Sequence, residues 1–170
     1  MEPARLMDPD IAQHIPRLRR YARALVGDRY RADDLVQDTL ERACRKFHLW
    51  RQGSDLRAWL FAVMHNVFVN QVRARRLELE EFEDAAALPT QMERIDLLDI
   101  EKALTRLSAE QREVILLVGI EQMAYGEVAK TLDVPIGTVM SRLSRARERL
   151  RALLSDEVDA AHITNLKVVK

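Results

Sequence analysis

Apolar residues recur at three- and four-residue spacing along most of the chain, and the breaks fall on residues that stop helices. This pattern predicts an all-α protein. A helix is expected from Asp10 to Leu25, ended by Gly27, and a second from near Ala32 to Phe47, with Asp33 and Asp34 in its first turn, where carboxylates suit the helix dipole. Gln52, Gly53 and Ser54 interrupt the pattern. Asp55 can then cap a long helix from Leu56 to Arg76. Further on, Asp96 to Leu107 reads as a helix, and Ser108 opens the box SAEQ, in which the serine and Gln111 can satisfy each other's free backbone donors. That helix runs to Ile120, and Tyr125 to Leu132 and Ile136 to Leu154 complete the set. Between the two groups lies Glu78 to Asp96, dense in acid, poor in apolar periodicity and containing Pro89. It reads as a flexible linker.

The domains are therefore expected at residues 1–77 and 97–156, with a linker over 78–96 and a tail over 157–170. On a wheel of about 100° per residue, Thr138, Ser141, Arg142, Arg145 and Arg149 fall on one side of the last helix. Val139, Leu143, Ala146, Leu150 and Leu153 form a separate apolar stripe. One face packs, and its neighbour presents hydroxyls and guanidiniums. A short helix with Val128, Ala129 and Leu132 on its inner side comes first, followed by a tight turn. Short helix, turn and longer helix is the helix-turn-helix arrangement, whose second helix enters the major groove. The helix from Leu56 is apolar almost all round, yet keeps a polar sector of Asn66, Asn70, Arg73 and Arg76, with His65 at its edge.

Composition narrows the function. The 170 residues carry 27 basic and 27 acidic groups, but residues 1–77 hold 15 basic and 9 acidic, whereas residues 78–99 hold 8 acidic and 1 basic. Two basic modules joined by an acidic strap suit a polyanionic partner, since the field at a surface follows local charge. The single Cys44 excludes an internal disulfide and reads as a small buried side chain. The four histidines have no metal-ligand spacing, and no nucleotide-binding glycine motif occurs, so no metal, cofactor or catalytic apparatus is expected. No signal pattern or long apolar run occurs either, so a cytoplasmic protein without membrane insertion is expected.

YGEVAKTLDVPIGTVMSRLSRARERL, Tyr125 to Leu150, resembles the C-terminal DNA-binding region of sigma-70 transcription factors, specifically the extracytoplasmic-function (ECF) group. Leu107 to Ala129 resembles the helices that precede it, while Asp33 to Phe47 and Leu56 to Arg76 resemble the other module of that group, region 2. The family usually has glycine in the turn where this chain has Asp133, at a position expected to need positive φ; aspartate is among the few residues that tolerate it.

The resemblance implies a sigma factor that is not itself an enzyme. It would carry core RNA polymerase to promoter DNA, contacted both as duplex and as melted non-template strand. Thr138, Ser141, Arg142, Arg145 and Arg149 would then bind the minus-35 element, and Gln52, Asn66, Asn70, Arg73 and Arg76 the minus-10 element, with Trp50 able to stack on an extruded base and Arg75 joining the phosphate contacts. Asp34, Leu35, Gln37 and Asp38 would dock on polymerase. An anti-sigma factor, often membrane-bound in this group, would hold the protein inactive, and the regulon would be one of stress or of envelope or metal response. The competing reading is a sigma-like decoy that sequesters an anti-sigma factor. Known decoys carry a receiver domain for which this chain has no room.

Overall fold

The structure, a computed structural model, describes residues 9–81 and 97–165, with side chains over 10–78 and 100–155. Among the described residues every regular element is a helix: α1 (Pro9–Ala12), α2 (Ile15–Val26), α3 (Arg29–Lys46), a 3-10 turn (Phe47–Leu49), α4 (Leu56–Glu81), α5 (Leu97–Thr105), α6 (Ala109–Gly119), α7 (Tyr125–Leu132) and α8 (Ile136–Asn165). Most of the expected linker, 82–96, lies outside the described residues, as do 166–170. Residues 78–81 continue α4 as helix.

Gly27 ends α2 in the left-handed region, φ 73°, and its N–H donates to the Arg23 carbonyl at 2.9 Å. Asp28 follows at once as the cap of α3, its carboxylate accepting from the Arg31 N–H at 2.8 Å. The helix therefore starts three residues before the expected Ala32, and Asp33 and Asp34 are not in its first turn. Pro16 lies in the first turn of α2, where its missing N–H costs nothing. The single helix expected from Asp10 is divided there into α1 and α2.

The first module packs α2 on α3 and α3 on α4. Leu18, Leu25, Leu35, Leu60 and Met64 are fully buried, and Tyr21 meets Phe61 edge-on with ring centroids 5.0 Å apart. Asp55 caps α4 through the Ala58 N–H at 3.2 Å. Cys44, expected to be buried, is exposed, because α3 turns its inner side toward Ala32, Leu35, Val36, Thr39 and Ala43 and leaves position 44 outside.

The second module is α5 to α8. The Ser108–Gln111 box forms in both directions, with Gln111 N–H to Ser108 Oγ at 3.2 Å and Ser108 N–H to Gln111 Oε1 at 3.4 Å. Val139, Leu143, Ala146 and Leu153 of α8 are buried against α5, α6 and α7. Helix α4 also packs against α7, and α2 against α5 and α6. The two modules thus share one hydrophobic core. This explains why α4 is apolar almost all round: it is packed from both sides.

Candidate nucleic-acid interface

The turn between α7 and α8 is set by Asp133, at φ 52° and ψ 50°, the left-handed conformation expected for it. The Val134 N–H reaches the Ala129 carbonyl at 3.0 Å and closes the turn. At the other end of α7, the Glu127 carboxylate accepts from the Ala124 N–H at 2.8 Å. Fully buried Val128 and Val139 then lock the two helices at the elbow. The consequence is a fixed α8 whose outer side is free. Ser141, Arg145 and Arg149 are exposed, and Thr138 and Arg142 are half-buried. The Ser141 hydroxyl donates to the Thr138 carbonyl at 3.1 Å. Among the described residues no carboxylate forms an ion pair with Arg142, Arg145 or Arg149. A row of unneutralised guanidiniums and hydroxyls beginning at a helix N-terminus matches what a major-groove reader presents.

On α4, Asn66, Asn70, Arg73 and Arg76 are exposed and recur at three- and four-residue spacing. Asn66 uses one amide hydrogen on the Ala62 carbonyl at 3.0 Å. Gln52 sits exposed in the loop before the helix, where Gly53 takes φ 89° and the Ser54 hydroxyl holds the Arg51 carbonyl at 2.6 Å. Trp50 is stacked on Phe47, centroids 5.4 Å apart and planes 18° apart. One face of its ring is therefore already taken. Its indole N–H is buried without a partner. Trp59 is half-buried and meets Phe47 edge-on.

Three expected placements change. Leu35 is 0% exposed, so it belongs to the core and cannot touch polymerase directly, whereas Asp34, Gln37 and Asp38 on the same helix are exposed. Asp38 accepts from Gln71 of α4 at 2.8 Å. Arg75 lies opposite Asn66 on the α4 wheel, away from the polar row, and its charge helps to lower the pKa of Arg31. His65 is half-buried and turns toward the second module. Its Nδ1 lies 2.7 Å from Glu113 Oε1 of the second module, and Glu113 is 3% exposed.

That last contact belongs to a polar seam between the modules that the sequence reading did not anticipate. The Arg57 guanidinium donates to the Glu121 carbonyl at 3.0 Å, and Arg17 lies 3.8 Å from the Glu121 carboxylate. Burial raises the pKa of Glu121, opposed by Arg17, Arg57 and Arg20. From the opposite side, Arg112 of α6 donates to the Leu25 carbonyl at the end of α2. The available signal was faint: Glu113 and Glu121 are charges set among apolar neighbours, in REVILL and GIEQM.

A family model for the sigma2 domain of PhyR matches residues 11–65, and one for region 4 of sigma-70 matches residues 97–150. The ECF RNA polymerase sigma factor EcfG of Rhodopseudomonas palustris is 39% identical over 150 residues, covering 85% of this chain and 83% of that protein. The chain belongs to the ECF sigma factors. Such proteins are transcription initiation factors rather than enzymes, and the role implies core RNA polymerase and promoter DNA as partners. The sigma factor RpoE of Bartonella quintana, solved with the anti-sigma factor NepR, is 40% identical, with a TM-score of 0.75 over 86% of this chain and 94% of that one. CnrH, solved with the cytosolic domain of CnrY, is 30% identical, with a TM-score of 0.64 over 86% of this chain and 85% of that one. Among the described residues no helix of this ECF sigma factor is long and apolar enough to cross a membrane.

Proposed function

We propose that this ECF sigma factor reads a promoter at two places with two helices. Helix α8 lies in the major groove of the minus-35 element, with Thr138, Ser141, Arg142 and Arg145 toward base edges and Arg149 nearer phosphate. Helix α4 lies along the melted minus-10 strand, with Asn66 and Asn70 offering amides to base edges, Arg73 and Arg76 meeting phosphates, and Gln52 contributing from the preceding loop. Asp34, Gln37 and Asp38 face polymerase. The observation that carries the reading is the free, cationic side of α8, held in place by the buried α7–α8 elbow.

Control by an anti-sigma factor follows the solved relative RpoE, which was captured with the anti-sigma factor NepR. The decoy reading draws on the match of residues 11–65 to the PhyR model. Against it stands the intact α8 row of hydroxyls and guanidiniums, which a decoy would not need.

The residue roles are tested by binding of variants to a panel of minus-35 sequences. Arginine bidentate to guanine discriminates by about 1–3 kcal/mol, so Arg142→Ala weakens the cognate sequence by that amount and relaxes choice at one position. Arg149→Ala weakens all sequences alike and lowers the salt slope by about one. Identical losses on every sequence for both variants would contradict the assignment.

A further inference from the structure

Arg112 makes four hydrogen bonds, all to backbone carbonyls at helix ends. Its Nε donates to Leu104 at 2.7 Å, and Nη2 to Thr105 at 2.7 Å and Leu107 at 3.0 Å, where α5 ends. The fourth, through Nη1, crosses to Leu25 at the end of α2 in the other module. A guanidinium suits this place, because helix C-termini carry partial negative charge and leave carbonyls unsatisfied. Burial lowers the Arg112 pKa, and the neighbouring Arg31 charge adds to the effect, so the carbonyls stand in for a carboxylate. The approach is close around it. A Cβ on Gly27 would come within 2.7 Å of the Thr105 methyl, so glycine is what lets α5 approach the α2–α3 corner. The seam continues on the far side through Arg57 to the Glu121 carbonyl and His65 to Glu113.

The packed arrangement cannot read both promoter elements at once. Elements centred near minus-35 and minus-10 lie about 25 base pairs apart, about 85 Å at about 3.4 Å per pair. A compact chain of this length is only about 40 Å across. Residues 82–96 can span at most about 50 Å when extended, enough to bridge separated modules. The seam must therefore break before promoter binding, and its polar ties through Arg112, Arg57 and His65 can exchange their partners for water when it does.

The geometry points to Arg112 as the latch that sets how often the free protein is packed: a positioning residue that reads no base itself and governs when α4 and α8 can act together. This consequence rests on the two-element reading, but the latch itself is testable without DNA or polymerase. Only the competent fraction of a two-state protein binds, so loosening the latch also tightens the apparent affinity for a partner that engages the separated modules.

The test labels native Cys44, which is exposed on α3, and a cysteine introduced by Ser144→Cys on the exposed side of α8, and reads energy transfer in the free full-length chain. Wild type gives one high-transfer population. Arg112→Ala moves most molecules to low transfer with helical content retained, and Arg112→Lys, with three donors instead of five, gives an intermediate distribution. The double variant Arg57→Ala with His65→Ala, which leaves Arg112 intact, keeps the high-transfer population, and Arg112→Lys covers the case in which Arg112→Ala fails to fold. Low transfer in wild type, unchanged transfer in folded Arg112→Ala or in Arg112→Lys, or loss of the high-transfer population in the double variant would overturn the latch.

Discussion

His65 and Glu113 lie in different modules, 48 residues apart in the chain, and meet at 2.7 Å in a part-buried contact. The pair turns a residue beside the polar row of α4 into a tie to the second module. Glu113 is nearly inaccessible to water, so removing its partner leaves a buried carboxylate less satisfied, which typically costs about 1–3 kcal/mol. His65→Ala is expected to lower the urea midpoint accordingly. His65→Ala with Glu113→Leu recovers part of the loss, because an apolar pair needs no partner. An unchanged midpoint for the single variant would show that the contact carries no stability.

Glu121 supplies a pH dependence. Its folded-state pKa is raised from 4.5 by burial, so the fold disfavours the charged form. A raised acid costs stability above its folded pKa, and that cost disappears as pH falls below the unfolded value. Glu121→Gln is therefore expected to be more stable than wild type at neutral pH, with the advantage vanishing below pH 4.5. Thermal unfolding of both proteins across pH 4–8 measures the gap. A gap that widens toward acid would reverse the sign.

Asp133 is strained by its left-handed backbone. Glycine adopts that conformation freely, so Asp133→Gly is expected to raise stability by up to about 1 kcal/mol, and Asp133→Val to lower it by about 1–2 kcal/mol. Affinity of the folded protein for duplex DNA stays level in the glycine variant, because the residue is outside the α8 row. Calorimetry checks the first statement and a binding titration the second.

Leu35 and Asp38 separate core from surface on a single helix. Leu35→Ala is expected to destabilise by about 2–5 kcal/mol, and below its melting temperature to bind polymerase normally. Asp38→Ala leaves the stability within about 0.5 kcal/mol of wild type and weakens polymerase binding. Equal losses of polymerase binding in both folded variants would mean that burial is not what distinguishes them.

The helices were legible where the signal is local. Ser108 with Gln111, Asp133 in its turn and the bounds of α7 follow from residues within four positions of each other. The start of α3 was missed because Asp28 caps it from directly beside Gly27, while the later pair Asp33 and Asp34 gave a competing signal. The α8 row could be read because a helix-turn-helix fixes which face is inward. Leu35 could not be separated from Asp34 by chemistry alone, since an apolar residue on an acidic helix suits either a core or a docking surface. The seam was the least legible. Its partners are 48, 64 and 87 residues apart in the chain and three of its acceptors are backbone carbonyls or buried carboxylates, which leave no periodic trace. The apolar circumference of α4 was the indirect sign that a second packing partner existed.

Run-off transcription tests the central claim most directly: the purified chain is added to core RNA polymerase on linear genomic templates, and the ends of the transcripts are mapped. A promoter-reading sigma factor gives RNA starting at defined sites, lost in the combined Thr138→Ala, Arg142→Ala variant on templates that depend on the minus-35 element. No site-directed initiation on any template, from a folded protein that still binds an anti-sigma factor, would contradict the account and leave the decoy.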